Sequence, residues 1–130
     1  MDTTRPENKV ILVVEDELSL ARALVEKLFK EGFSVIEARN GEEGLQVALR
    51  EHPDLILLDI VMPKMDGITM LTKLREDSWG KGARVVILTN LSDDLSVDKS
   101  IQYGAFDYLV KTDWKIEEVI EKIRARLGLQ

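Results

Sequence analysis

Three short runs in this chain are apolar at every position: Val10-Ile11-Leu12-Val13-Val14, Leu55-Ile56-Leu57-Leu58 and Val85-Val86-Ile87-Leu88. No other feature narrows the possible folds as far. A strand with one wet face alternates polar and apolar residues, so an unbroken apolar run needs cover on both faces, as inside a parallel sheet. Two shorter runs, Val35-Ile36 and Tyr108-Leu109-Val110, bring the number to five. The segments between them carry helical spacing. The first places Leu18, Ala21, Leu24, Val25 and Leu28 on one stripe, and the last does the same with Ile116, Val119, Ile120, Ile123 and Leu127. Gly32 follows the first helix, Asn40-Gly41 opens the second, Pro53 closes it and Gly128 follows the fifth. Strand and helix alternating five times predict right-handed crossovers and a doubly wound α/β sheet.

Five strands suit the flavodoxin-like order 2-1-3-4-5. The length of 130 residues fits one domain with a sizeable core. Residues 1–8 are expected to be a mobile tail, residues 9–128 the domain, and Trp79-Gly80-Lys81-Gly82 a loop, with no output domain in the chain. The absence of cysteine excludes disulfides, thiolate metal sites and cysteine nucleophiles. No apolar run approaches the roughly 20 residues of a membrane-spanning helix. The first nine residues lack the apolar stretch of a secretory signal, so a cytoplasmic protein is expected. With 18 basic against 24 acidic side chains the net charge is −6, which opposes direct attraction to nucleic acid or anionic membranes.

In folds of this kind ligands gather beyond the carboxyl ends of the strands. Strand 1 ends in Glu15-Asp16-Glu17, strand 3 in Asp59 and strand 4 in Thr89, and Lys111 follows strand 5. Each residue alone has an ordinary reading. Glu15 and Asp16 suit the amino end of the first helix through its dipole, Asp59 and Thr89 suit a strand end, and Lys111 a solvated charge. Together they place several carboxylates, a hydroxyl and an ammonium on one edge. Crowded carboxylates repel one another and call for a cation. Glu15, Asp16 and Asp59 are hard oxygen ligands of the kind Mg²⁺ takes. With the metal, Thr89 and Lys111 complete a set that holds the oxygens of a phosphoryl group.

Four blocks resemble the receiver domain of two-component response regulators: Val13-Val14-Glu15-Asp16-Glu17, Leu58-Asp59 through Asp66-Gly67, Leu88-Thr89, and Gly104-Ala105-Phe106-Asp107-Tyr108-Leu109-Val110-Lys111. Their order and spacing match from about Lys9 to Gly128. The resemblance implies that Asp59 accepts a phosphoryl group from the phosphohistidine of a histidine kinase or histidine phosphotransfer protein. It implies Mg²⁺ bound by Asp16, Asp59 and the backbone carbonyl of Val61, with Glu15 acting through water. It gives Thr89 and Lys111 the phosphoryl oxygens and makes Tyr108 an aromatic switch, where the residues alone read as a sheet-edge aromatic. The signal would pass to a downstream protein through the face of the fourth helix, fifth strand and fifth helix, with a phosphorylation-dependent homodimer as one form of it. The fourth helix, around Asp94 to Ile101, is rich in weak helix formers and is expected to be the moving element.

The chain departs from the family pattern at Thr112, where proline with a cis bond usually follows the lysine. A cis bond to a non-proline residue costs roughly 2.5–4 kcal/mol, so trans is expected here. That departure sustains an alternative, a degenerate receiver that binds partners without phosphorylation. Asn90 is bulkier than the residue usual after the threonine. Val61 and Leu91 lie two residues beyond Asp59 and Thr89 and offer nothing to orient a water, which implies a long-lived phosphate. A flavin binder would need a Ser/Thr/Gly-rich loop after strand 1, where Glu15-Asp16-Glu17 stands. A phosphohydrolase would need an Asp-x-Asp nucleophile motif on that strand.

Other residues read as structural. Asp66-Gly67 caps the third helix, Met62, Met65 and Met70 pack, Asp113 caps the fifth helix, and the single histidine, His52, is a solvated helix end. Trp114 is read as packing or as partner surface. Leu18, Ser19 and Arg22 lie where a kinase would dock, or else are ordinary surface.

Overall fold

The computed structural model describes residues 9–88 and 115–129 in full, and residue 89 and residues 107–110 as strand backbone. Five strands, β1 (Val10–Val14), β2 (Ser34–Ala38), β3 (Leu55–Asp59), β4 (Val85–Thr89) and β5 (Asp107–Val110), form one parallel sheet in the order β2-β1-β3-β4-β5. That is the flavodoxin-like order expected. Helices α1 (Leu18–Lys30), α2 (Gly41–Glu51) and α3 (Gly67–Glu76) lie between strands, and a C-terminal helix spans Ile116–Arg126. The fourth helix expected around residues 94–101 and the expected tail at residues 1–8 lie outside the described residues.

The sheet divides the core in two. On β1, Leu12 and Val14 face one side while Ile11 and Val13 face the other, and β3 and β4 alternate in the same way. Ile56, Leu58, Val85 and Ile87 join α2 and α3. Leu55, Leu57, Val86 and Leu88 join α1 and the C-terminal helix. All of these are out of contact with solvent, which is why the three central runs are apolar throughout. β2 is on the edge, and Ser34 to Glu37 are only partly covered.

The helix ends follow local chemistry. Asn40 accepts from the Glu43 N–H at 2.9 Å and Asp66 from the Thr69 N–H at 2.8 Å, each satisfying a donor the helix leaves open. The segment before β4 differs from the expected loop, since Gly80–Gly82 forms a 3₁₀ turn. Arg75 holds it by donating to the carbonyls of Gly80 and Ala83. Burial lowers the pKa of that guanidinium from its usual value. His52 is the exposed C-cap of α2, as expected. Its ring stacks on Trp79 with centroids 4.3 Å apart. Leu18 opens the α1 stripe but is 44% exposed, because it stands beyond the strands that cover Ala21, Leu24 and Leu28.

Full burial at the centre and partial burial at the edge predict unequal costs. Leu57→Ala should lower unfolding free energy by about 2–5 kcal/mol. Ile36→Ala, at the edge, should cost about 1 kcal/mol. Urea titrations of both variants measure the difference.

Candidate functional site

Register brings the strand ends together. Val14 pairs with Leu58, so Glu15, the next residue, comes abreast of Asp59 on the neighbouring strand. The pleat sets both on the side of Ile11, Val13, Leu55 and Leu57, facing α1. Asp59 in turn pairs with Leu88, and Thr89 with Val110. Thr89 therefore closes β4 at the same edge, and its side chain is outside the described residues. Tyr108 pairs with Ile87 within β5, and its side chain is likewise outside them. Lys111, Thr112, Asp113 and Trp114, with Asn90 and Leu91, lie beyond the description altogether.

Three carboxylates converge. One oxygen each from Glu15, Asp16 and Asp59 falls within 4.8 Å of the other two. Glu15 is 1% exposed and Asp59 3%, while Asp16 is open to solvent. Two acids form a floor and the third a mouth. Burying a charged carboxylate costs several kcal/mol unless other charges or donors meet it. Part of this is met locally, because Oε2 of Glu15 accepts from the Glu17 N–H at 3.0 Å. That bond also fixes the turn into α1, whose N-cap is Glu17.

The donor set suits a small divalent cation. Oxygens around Mg²⁺ lie about 2.0–2.1 Å from the metal, so ligands on opposite sides are about 4 Å apart. The observed spread is close to that, and the ligands are all hard oxygens. Val61 is two residues past Asp59 in the loop between β3 and α3, with its side chain 66% exposed.

That loop is held from both ends. The Gly67 N–H donates to the Ile60 carbonyl at 2.8 Å, and a Cβ at Gly67 would lie 2.1 Å from the Asp59 carbonyl oxygen. The Gly41 N–H donates to the Met65 carbonyl at 2.9 Å, where a Cβ would also collide. The sequence reading assigned Gly67 to a helix start and missed its second role, packing against the backbone of Asp59. A glycine after a capping aspartate carries no local sign of what approaches it. Met62 and Met70 are buried and Met65 packs on the same cluster, as expected.

Comparison with known proteins agrees with this geometry. The family model described as the response regulator receiver domain matches residues 11–124. Among curated proteins, the probable transcriptional regulator ycf27 of Porphyridium aerugineum is 40% identical over 117 residues, covering 90% of this chain and 47% of that protein. Response regulator ArlR of Staphylococcus aureus is 38% identical over 120 residues, covering 92% and 53%. The chain thus spans about half the length of these relatives. Among solved structures, that of the CheX-CheY-BeF3-Mg complex from Borrelia burgdorferi superposes with a TM-score of 0.82 at 31% identity, covering 90% of this chain and 87% of that one.

A cation that binds the folded cluster should stabilise the protein. At a hundredfold excess over its dissociation constant, Mg²⁺ should add about 2.7 kcal/mol to unfolding free energy. Asp16→Asn should lose most of that increment. Denaturant titrations with metal and with chelator, on both proteins, measure it.

Proposed function

The chain belongs to the response regulator receiver domain family, and on that premise we propose that it takes a phosphoryl group from a phosphohistidine onto Asp59. The observation that carries this reading is the meeting of Glu15, Asp16 and Asp59 at the carboxyl edge of the sheet. The donor would be a histidine kinase or a histidine phosphotransfer protein. A carboxylate oxygen of Asp59 attacks phosphorus, the phosphorus–nitrogen bond breaks, and the imidazole leaves with the electron pair. The product is an acyl phosphate on Asp59. Glu15, Asp16 and Asp59, with the carbonyl of Val61, are the residues that would hold Mg²⁺. When bound, Mg²⁺ neutralises charge gathering on the phosphoryl oxygens.

The chain's own residues do the rest in this reading. The rigid sheet holds Asp59 at the end of a fully buried strand, so the nucleophile is positioned before the donor arrives. Asp16 stays in solvent at the mouth, where an incoming phosphoryl group and cation meet it first. Thr89 and Lys111 bind phosphoryl oxygens by charge-assisted hydrogen bonds. Drawing Thr89 toward the phosphate opens space that Tyr108 fills, which biases an equilibrium in the face of the fourth helix, β5 and the C-terminal helix. That face then contacts a downstream protein or a second copy. Phosphorylation in the cytoplasm fits a chain in which no described helix is long and apolar enough to cross a membrane.

Intact mass after incubation with a small acyl phosphate and Mg²⁺ tests this. One phosphoryl adduct should form, and it should vanish with chelator or in Asp59→Asn. No adduct, under conditions that label a known receiver, would overturn the reading. The apolar, exposed Val61 should also leave the adduct slow to hydrolyse. Val61→Asn, which offers a group to orient water, should speed decay several-fold, equivalent to about 1 kcal/mol off the barrier. The adduct's decay followed by mass measures this.

A further inference from the structure

The outer flank of α1 and the edge strand β2 enclose a groove of about 490 Å³, lined by Arg22, Val25, Glu26, Phe29, Val35 and Glu37. Neither the carboxylate cluster nor the switch face includes any of these residues. Phe29 is 73% exposed, the most exposed large apolar side chain among the described residues. Val25 and Val35 sit half-buried beneath it at the margin of the core. Oε1 of Glu37 is shut off from solvent, and no hydrogen-bond donor meets it among the described residues.

The strand itself adds a further feature. β2 pairs only with β1 and ends the sheet. The Ser34 N–H donates to the Lys9 carbonyl and the Ala38 carbonyl accepts from the Glu15 N–H, so these residues turn their backbone groups inward. The pleat then turns the backbone groups of Val35 and Glu37 outward, toward the groove's open side. Their side chains stand on the same face, one apolar and one acidic, at the two-residue period of an extended chain.

We propose that this groove binds an extended segment of a partner protein that carries an apolar and a basic side chain two residues apart, on one face, added as a further strand beside β2. Backbone pairing to Val35 and Glu37 supplies general affinity, as in other strand additions. An apolar side chain fills the space among Val25, Phe29 and Val35, and a lysine or arginine two residues along, on the same face, donates to Glu37. Charge selects this occupant. Of the two carboxylates in the lining, Glu26 is paired with Lys30 at 3.1 Å. Glu37, whose Oε1 no donor meets among the described residues, is therefore the acid that selects a basic side chain. A second copy of a chain of net charge −6 would bring another acidic edge to meet it.

Amide NMR of the full chain in saturating Mg²⁺ tests the proposal. The probe is a short blocked peptide with valine and lysine two residues apart and serine between them, beside one with glutamate in place of the lysine. The lysine peptide should shift the amides of Val35 and Glu37 saturably, and the glutamate peptide should not. Glu37→Gln and Phe29→Ser should each weaken binding about tenfold. Both substitutions are at the surface of the groove, and unchanged spectra elsewhere would establish that the fold is kept. The proposal would be overturned by no saturable shift, an equal response to the glutamate peptide, undiminished binding in both variants, or shifts centred on Glu15 and Asp16. Shifts at β2 that grow with protein concentration alone would give the groove to a second copy and overturn it too. Phosphorylation of Asp59 enters none of these readouts.

Discussion

Parallel pairing makes every strand of this sheet run the same way, so all the carboxyl ends emerge at one edge. Everything chemical in the molecule depends on that. Each return from a strand's end to the next strand's beginning needs a crossover, and the crossovers supply the helices that bury both faces. With both faces covered, β1 and β3 have no room for polar side chains until they reach their ends. Glu15 and Asp59 appear at the first positions where the strands leave the core, one register step beyond the pair Val14–Leu58.

The two edges of the sheet are built for different purposes. At the amino edge the contacts tie elements together. The Val10 N–H donates to the Asp54 carboxylate at 2.7 Å, Arg75 binds two carbonyls ahead of β4, and His52 stacks on Trp79. At the carboxyl edge like charges are held close, with two of three acids buried. The loops on either side are locked by backbone contacts at Gly41 and Gly67.

Much of the architecture was legible before any coordinates. Runs without alternation identified the buried strands; apolar stripes identified the first and last helices, and Asn40 and Asp66 the starts of α2 and α3. The acidic residues of the site were legible too, because each terminates an apolar run and stands out against it. The edge strand was less so. β2 is the same length as β1 and β3, but its partial burial leaves a weaker apolar signal than theirs.

The sequence by itself determined which segments become strands, where they end, and which residues must share an edge, since these follow from periodicity and from the direction of parallel strands. Tertiary structure alone decided the distances. That Glu15, Asp16 and Asp59 come within 4.8 Å, that Gly67 must lie against the Asp59 carbonyl, and that Phe29 stands exposed over β2 are consequences of how elements pack. Hydrophobic patterning states only that a residue is covered or wet. Which neighbour covers it is a long-range choice, made when residues far apart in sequence fill the same volume.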